Sequence, residues 1–277
     1  MKDAEGVRFL QWCLPELRLH WRGFRRVRRH VYRSIERRLA ELSRSDLAAY
    51  RSYLESHATE WAVLDTLCRI PISRFYRDKA AFQYLELVVL PELSRMIVAR
   101  GENELRCWSI GCASGEEPYT VAIIWRLTIA PEFPRLRLGV LGTDTDRDAI
   151  ERAERGSYPP PSVRDLPPTM LTQAFSESPT GFVLKQDYRT GVEFLEQDVR
   201  TRMPDGPFHL VLCRNVVLTY FDAELQRQTV QRIVDRLVPG GALMIGTTES
   251  LPGDAELLEP WSRQLKVYRR LGSARGR

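Results

Sequence analysis

The chain has 277 residues, of which 43% are hydrophobic and 28% are charged, a balance that is typical of a globular protein and excludes a largely disordered one. Only four of the 41 basic residues are Lys, and a net charge of +5 with a pI near 9.0 favours acidic partners such as carboxylate-rich proteins, nucleic acid or anionic membrane surfaces. The five Cys form no C-x-x-C pair, no apolar run reaches the ~18 residues of a membrane span and no secretory signal opens the chain, so we expect a soluble cytoplasmic protein without disulfides, zinc or membrane insertion.

The first part of the chain has a helical pattern. Apolar residues recur at steps of three and four over residues 24–42, which predicts one helix with a single buried stripe. Nine Arg lie on or just before its other faces: Arg18, Arg22, Arg25, Arg26, Arg28, Arg29, Arg33, Arg37 and Arg38. Ser45 is predicted to cap a second helix over 46–57, and a third is expected over 60–67. We therefore predict a basic helical domain over residues 1–78.

Strand–helix alternation begins near residue 105, after a predicted helix over 79–100 that Asp78 would cap and Pro91 would interrupt. The predicted strands cover residues 106–110, 136–143, 208–213 and 242–247, and the predicted helices cover 118–129, 147–155 and 223–237. Because alternating strands and helices form parallel sheets with right-handed crossovers, the fold class is α/β, with a Rossmann-like doubly wound sheet over 79–272.

Residues 156–192 interrupt this alternation. Its first part, residues 159–168, contains five Pro, and the pattern then alternates weakly around residues 182–184. An inserted loop with a small β subdomain is predicted there. The tail, 273–277, is expected to fray.

The first predicted strand ends in the most informative motif, Gly111-Cys112-Ala113-Ser114-Gly115-Glu116-Glu117-Pro118. Glycines at a strand-to-helix turn let the backbone approach a ligand closely. Two carboxylates at the start of the helix would repel a pyrophosphate and suit a cation. S-adenosylmethionine carries a sulfonium and an amino group and no phosphate, so it fits this motif. The alternative is a tight turn with an acidic N-cap.

Polar residues follow the later strands as well. Asp144 stands where nucleotide-binding sheets bind ribose hydroxyls, whereas Asp146 is expected to cap the next helix. Asp198 could accept a hydrogen bond from an adenine amino group or simply close a turn. Arg214 and Asn215 would face the ligand crevice, although Asn215 could also serve a turn.

Taken together, these motifs resemble the CheR family of chemotaxis-type protein-glutamate methyltransferases. The matching blocks are Ile72-Ser73-Arg74-Phe75-Tyr76-Arg77-Asp78, Trp108-Ser109-Ile110 continuing through Tyr119, Thr143-Asp144-Thr145-Asp146, Arg155-Gly156-Ser157-Tyr158 and Cys213-Arg214-Asn215-Val216. The resemblance covers about residues 15–252. It implies a helical N-terminal domain, a Rossmann-like catalytic domain with an inserted antiparallel β subdomain, and methyl transfer from S-adenosylmethionine to a glutamate carboxylate, with S-adenosylhomocysteine as product and no metal.

The resemblance also implies a set of site residues. Those that would surround the cofactor are Ser73, Arg77, Gly111, Ala113, Glu117, Asp144, Thr145, Asp198, Val199, Arg214 and Asn215. Arg77 and Tyr220 would be catalytic, and Arg77 could orient the acceptor carboxylate through a bidentate pair. Because a carboxylate is already nucleophilic at pH 7, catalysis would rest mostly on proximity and orientation, which supply up to ~7–11 kcal/mol.

The chain departs from the family pattern on the acceptor side. Pro71 stands where the family has Asn, and Tyr220 follows Asn215 by five residues instead of four. The family's G-H-S-E reads Gly246-Thr247-Thr248-Glu249, and the inserted β region lacks an obvious aromatic receptor-binding loop.

Three functions are compatible with these observations. The first is glutamate methylation on an acidic protein, such as a helical chemoreceptor docked by the basic N-terminal helices. The second is methylation of a non-receptor protein or a small molecule by the same fold. The third is a non-catalytic module that binds S-adenosylmethionine or nucleic acid. Nucleic acid is disfavoured because no base-reading motif accompanies the Arg residues, and the presence of Arg77, Glu117 and Asp144 favours an enzyme.

Overall fold

A computed structural model describes residues 2–70, 72–253 and 255–272, so Pro71 and the predicted frayed tail, 273–277, lie outside the described residues. The chain divides into two compact units. The helical unit comprises Met1–Pro71 and Val217–Gln226, and the sheet unit comprises Ile72–Val216 and Arg227–Arg277. The domain boundary that the sequence suggested, between residues 78 and 79, stays a prediction.

The helical unit is a set of short helices around an aliphatic and aromatic core. Its N-terminal helices are α1 (Asp3–Glu16), α2 (Trp21–Phe24), α3 (Arg28–Glu41), α4 (Leu47–Ser56) and α5 (Glu60–Leu67). Leu14, Ile35 and Tyr50 are fully buried in it. The predicted cap of α4 was wrong by one residue, because the Asp46 carboxylate accepts the Ala49 N–H at 2.8 Å while the Ser45 hydroxyl only donates to Asp46.

The sheet unit alternates strands and helices as predicted. Its elements up to residue 213 are α6 (Lys79–Tyr84), α7 (Leu90–Ala99), β1 (Glu104–Ile110), α8 (Glu116–Ile124), β2 (Arg137–Asp144), α9 (Arg147–Arg155), β3 (Ser157–Tyr158), α10 (Pro160–Val163), α11 (Pro168–Ala174), β4 (Phe175–Ser178), β5 (Gly181–Leu184), β6 (Val192–Glu196) and β7 (Phe208–Cys213). The remaining elements are α12 (Val217–Tyr220), which belongs to the helical unit, α13 (Ala223–Asp235), β8 (Leu237–Ile245), β9 (Leu258–Ser262) and β10 (Val267–Arg270).

Seven of the described strands form the main sheet, in the order β6-β2-β1-β7-β8-β10-β9. Strands β6, β2, β1, β7 and β8 are parallel, and β10 is antiparallel to both of its neighbours. The chain order reverses between β1 and β7, and in open α/β sheets a ligand crevice lies outside the carboxyl ends of the strands at such a point. The predicted fold class is confirmed.

The inserted region forms a separate antiparallel sheet, in the order β3-β5-β4 within the described residues. Its buried side is aromatic. The Phe75 ring makes edge contacts with Tyr158 and Phe175, with ring centroids 4.7 and 5.1 Å apart. The Phe75 N–H also donates to the Ser162 carbonyl at 2.9 Å, so the segment that carries Arg77 is tied to the insertion.

Several predicted boundaries were wrong. The helix over 79–100 is not broken at Pro91, because a π-helical turn over Leu85–Val89 precedes α7 and Pro91 occupies the first turn of α7, where no backbone donor is needed. Helix α8 begins at Glu116, two residues early, and β8 covers 237–245 instead of 242–247. The β9–β10 pair was not predicted, because its strands are short and only Val267 is fully buried.

Candidate cofactor site

The turn that follows β1 is strained and tightly fixed. Gly111, Ala113 and Gly115 all have left-handed backbones, with φ of 66°, 48° and 84°. The N–H groups of Gly111 and Cys112 both donate to the Thr143 carbonyl, at 2.8 and 3.0 Å, which ties the turn to the end of β2. Strained conformations of this kind cluster at functional sites when the surrounding structure holds them in place.

The glycines of this region are required by packing within the protein. A Cβ atom at Gly111 would lie 2.3 Å from the Val216 side chain, and one at Gly142 would lie 2.8 Å from the Phe194 ring. The sequence suggested that glycine here serves the close approach of a ligand. At these two positions the close neighbour is another side chain of the same chain.

Asp144, the predicted ribose ligand, joins the ends of β1 and β2. One carboxylate oxygen accepts the Ala113 N–H at 2.8 Å, and the other accepts the Asp146 N–H at 2.9 Å. Asp146 caps α9 by accepting the Ala149 N–H at 3.2 Å, as predicted. Asp144 and its half-buried neighbour Thr145 therefore lie beside the strained turn, at the carboxyl edge of the sheet.

Glu117 and Arg214 form the centre of a buried ionic cluster. The Arg214 side chain is 3% exposed, and its Nη1 lies 3.0 Å from the Glu117 carboxylate. Its Nη2 donates to the Arg77 carbonyl at 3.1 Å and to the Asp78 carboxylate. Glu117 also accepts the Ser109 hydroxyl at 2.7 Å. Two carboxylates thus share one guanidinium, which leaves the cluster with an excess of negative charge.

The predicted catalytic Arg77 lies in a strained loop. Its neighbours Tyr76 and Asp78 have left-handed backbones, with φ of 57° and 64°. Its Nη1 donates to the Ile72 carbonyl at 3.2 Å. The predicted capping role of Asp78 was wrong, because its carboxylate binds Arg214 and makes no cap hydrogen bond to α6.

Glu116 was not among the predicted site residues, although it is one of the two carboxylates of the motif that pointed to a cationic cofactor. It is 5% exposed, and burial raises the pKa of its carboxyl despite contacts to its own backbone N–H, Ser73 and Ser162. Its Oε2 atom has no hydrogen-bond partner in the described part of the chain. Ser73, a predicted cofactor residue, therefore lies against Glu116.

Asp198, the predicted adenine ligand, is held by Arg200. Its carboxylate accepts the Arg200 backbone N–H at 2.9 Å and the guanidinium Nη2 at 2.7 Å. The neighbouring Val199 is buried. An adenine amino group at Asp198 would have to share this carboxylate with Arg200.

Asn215 closes the end of β7 in a left-handed conformation, with φ of 58°. Its N–H and that of Gly246 both donate to one oxygen of the buried Glu249, at 3.1 and 2.6 Å. Glu249 thereby joins the ends of β7 and β8. Glu249 belongs to the altered G-H-S-E motif, and its role in joining the two strands was not predicted from the sequence.

Tyr220 belongs to the helical unit, whereas the predicted cofactor residues all belong to the sheet unit. Its carbonyl accepts the His20 N–H at 2.7 Å, and its ring lies 5.0 Å from that of Phe24. The next residue, Phe221, forms an isolated antiparallel bridge with Leu19.

The groups at the carboxyl edge of the sheet fit a cationic organic cofactor. Glu117, Asp144 and Glu249 supply carboxylates, and the cation among them, Arg214, is already shared between two acids. Within the described ranges, no group of three or more His, Cys, Asp or Glu is arranged to hold a metal ion. Likewise, no described helix is long and apolar enough to cross a membrane.

A doubly wound sheet whose first two strands end in a strained turn and acidic side chains fits the class of S-adenosylmethionine-dependent methyltransferases, and the comparison with protein families shows this class. The family model for "CheR methyltransferase, SAM binding domain" matches residues 72–267. The chain therefore belongs to the CheR methyltransferase family and is an enzyme that uses S-adenosylmethionine.

Two curated relatives show the extent of the similarity. The chain is 31% identical over 191 residues to the chemotaxis protein methyltransferase of Listeria innocua, across 69% of this chain and 70% of that protein. It is 29% identical over 228 residues to the chemotaxis protein methyltransferase of Escherichia coli K12, across 79% and 76%. Among solved structures, the N-methyltransferase NodS from Bradyrhizobium japonicum WM9 with S-adenosyl-L-homocysteine aligns at 16% identity and a TM-score of 0.39, over 71% of this chain and 88% of that one.

Proposed function

We propose that this enzyme methylates glutamate side chains of a protein, an acidic helical chemoreceptor, and releases S-adenosylhomocysteine. The observation that carries the proposal is the link from Arg77 to Glu117. Arg214 donates to the Arg77 carbonyl at 3.1 Å and lies 3.0 Å from Glu117. Arg77, the proposed binder of the acceptor carboxylate, is therefore linked through the Arg214 side chain to Glu117, a proposed cofactor-binding carboxylate.

The reaction needs little acid–base chemistry from the protein. When bound, S-adenosylmethionine supplies a methyl group on a sulfonium. Transfer of this methyl group to the acceptor oxygen would leave S-adenosylhomocysteine, which keeps the electron pair of the broken carbon–sulfur bond. No proton moves, so the task of Arg77 is to orient the acceptor carboxylate. Tyr220 is the second proposed catalytic residue.

The cofactor roles of the remaining site residues are also proposals. Glu117 and Asp144 would bind the cationic groups and the ribose, and Asp198 would accept the adenine amino group beside Val199. The others would line the site through their positions around the strained turn: Ser73, Gly111, Ala113, Thr145, Arg214 and Asn215.

An Asp144→Asn variant tests the cofactor assignment. It should weaken S-adenosylhomocysteine binding by about tenfold to a hundredfold, because a charged hydrogen bond contributes about 1.5–3 kcal/mol. Asp146→Asn is the matched control, since Asn caps a helix as well as Asp does. Isothermal titration of both variants measures the effect. Equal affinities for Asp144→Asn and wild type would remove Asp144 from the cofactor site.

The proposed docking surface for the substrate is a row of Arg on and just before α3. Arg26, Arg29, Arg33 and Arg37 are all exposed and follow at helical spacing. Such a row attracts an acidic helical surface, and salt weakens the attraction. Arg33→Glu should therefore raise the KM for the protein substrate several-fold, whereas reversal of the exposed Arg8 should change it little.

Product chemistry tests the acceptor. The enzyme would be incubated with methyl-tritiated S-adenosylmethionine and the purified cytoplasmic fragment of a chemoreceptor. A glutamyl methyl ester releases labelled methanol in mild base, whereas N-methyl and C-methyl products are stable. Arg77→Ala should keep most of its cofactor affinity and lose turnover by at least a hundredfold, while Arg95→Ala, an exposed control, should keep it. Base-stable label, or unchanged turnover in Arg77→Ala, would contradict the proposal.

We also place the enzyme in the cytoplasm. The five Cys residues are buried, and none of them forms a disulfide within the described chain. Burial raises the pKa of the Cys13 thiol to about 12, so this side chain stays protonated and unreactive. Buried thiols of this kind suit a reducing compartment.

A further inference from the structure

The loop that carries Arg77 is held in a costly conformation. Tyr76 and Asp78, on either side of Arg77, are both left-handed. For a bulky residue such as Tyr this conformation is an outlier that costs free energy, whereas Asp adopts it more readily. The loop keeps this shape only if the surrounding contacts determine it.

Tyr76 is fixed by contacts on its own side of the loop. Its ring is 2% exposed and stacks on Phe82, with centroids 5.5 Å apart. Its N–H donates to the Thr120 hydroxyl at 3.1 Å, and its own hydroxyl donates to Glu86 at 3.0 Å. The strain at Tyr76 is therefore offset by packing and by two hydrogen bonds.

Asp78 is fixed through Arg214. The Arg214 guanidinium lies over the Phe82 ring, with 4.9 Å from Cζ to the centroid, and is bound by Glu117 on one side and Asp78 on the other. The same Nη2 atom that binds Asp78 also donates to the Arg77 carbonyl at 3.1 Å. The Asp78 carboxylate thus binds the Arg214 guanidinium, which in turn donates to the Arg77 carbonyl.

We infer that Asp78 is a positioning residue for Arg77, acting through Arg214. This inference rests on the proposed catalytic role of Arg77. Without the Asp78 charge, Arg214 keeps its ion pair with Glu117 but loses the ion pair that directs its Nη2 to the Arg77 carbonyl. The Arg77 side chain then samples more orientations, so methyl transfer slows while the cofactor carboxylates keep their places.

The decisive variant is Asp78→Asn. Asn tolerates a left-handed backbone as Asp does, so this change removes the charge and preserves the loop conformation. With a chemoreceptor fragment as acceptor, kcat should fall at least tenfold and the Kd for S-adenosylhomocysteine should stay within threefold. Asp165→Asn is the matched control, because Asp165 pairs with Arg74 of the same segment at 2.8 Å without contacting Arg214. It should keep kcat within twofold.

Two further measurements separate positioning from folding and from the choice of substrate. Asp78→Glu restores the charge and should recover kcat relative to Asp78→Asn, whereas a purely structural role would give equal losses. Amide hydrogen exchange of the peptide over 72–78 needs no acceptor and should be faster in Asp78→Asn than in wild type. If wild type forms no base-labile ester, the proposed function fails and exchange alone decides the inference. Unchanged exchange, or kcat within twofold of wild type in Asp78→Asn, overturns it.

Discussion

Glu60 in the helical unit and Glu116 in the sheet unit are almost equally buried, with 4% and 5% of their surfaces exposed. Glu60 accepts two hydrogen bonds from Arg38, at 2.9 and 2.8 Å, and one from the Tyr50 hydroxyl at 2.9 Å. Glu116 has the Ser162 hydroxyl 3.5 Å from one oxygen and no described partner for the other. The Arg38 hydrogen bonds lower the pKa of Glu60, whereas burial raises that of Glu116.

The difference shows that the counter-charge, more than the degree of burial, decides how a buried acid behaves. In the helical unit, the Arg38–Glu60 pair joins α3 to α5 and stabilises the ionised acid. In the sheet unit, Glu116, the first residue of α8, forms no salt bridge within the described residues, and the nearby charge of Arg152 lowers its pKa by less than burial raises it. Carboxyls whose pKa is shifted by burial are concentrated at functional sites, which is consistent with the turn serving the cofactor and the Arg38–Glu60 pair serving stability.

Arg38→Gln should produce the largest change in the free energy of unfolding, because it would leave Glu60, like Glu116, buried without a salt bridge. Removing one partner of a buried ion pair leaves the other charge uncompensated, so we expect a loss of about 3 kcal/mol in the free energy of unfolding. Urea unfolding at pH 7 measures it. Arg37→Gln, an exposed neighbour, should cost less than about 0.5 kcal/mol. Equal losses in the two variants would mean that the pair contributes nothing specific.

The same pair should weaken on acidification. The folded pKa of Glu60 lies below its usual value of 4.5, so its stabilising contribution is present above pH 4.5 and is lost as the pH falls through the folded pKa. The difference between wild type and Arg38→Gln should therefore shrink below pH 4.5. Unfolding midpoints measured from pH 7 to pH 3 report this, and a difference that stays constant would contradict the assignment to Glu60.

Glu116→Gln should change the free energy of unfolding by a smaller amount and in the opposite direction. The folded pKa of Glu116 lies above 4.5, so the unfolded chain ionises first and stability is lost as the pH rises from 4.5 through the folded pKa. Gln has the same shape and carries no charge, so the variant should be about 1 kcal/mol more stable than wild type at pH 8. The gain should vanish below pH 4.5. A variant that is less stable at pH 8 would show that the charge of Arg152 outweighs the cost of burying the ionised Glu116 carboxylate.

Tyr50→Phe should have the smallest effect. It removes one of three hydrogen bonds to Glu60 and leaves Arg38 in place, so the free energy of unfolding should fall by about 0.5–1 kcal/mol. Tyr53→Phe is the control, because Tyr53 stacks on His57 through its ring, which the change preserves. Thermal melts of both variants measure the difference, and a larger loss in Tyr53→Phe would reverse the expected ranking.

The sequence predicted the doubly wound fold because mainly apolar segments bounded by turns alternate along it with helical patterns. Strand β7 was placed at its observed bounds for this reason, since all six of its residues are buried. Strands β9 and β10 escaped notice because they pair at the edge of the sheet, where most of their side chains are partly exposed. An apolar period of two reveals a strand only when one of its faces is regularly buried, and the β9–β10 pair has too few buried residues to produce this pattern.

The candidate site was predictable as a set of motifs and not as a network. The order of the motifs indicated that Glu117, Asp144 and Arg214 belong together. The partners of Arg214 could not be read from the chain, since Asp78 and Glu117 lie 136 and 97 residues away from it in sequence. The same holds for Glu249, which binds the N–H of Asn215 from 34 residues away.

The sequence by itself determined the fold class, the cofactor and the family, because these depend on apolar periodicity and on local motifs at strand ends. Tertiary structure alone decided which acids are paired with a cation and which are not. It turned Asp78 from an expected helix cap into a partner of Arg214, and it gave Glu60 and Glu116 pKa shifts of opposite direction. The physical reason is that charge interactions depend on distance and burial, which only the folded chain fixes for residues far apart in sequence.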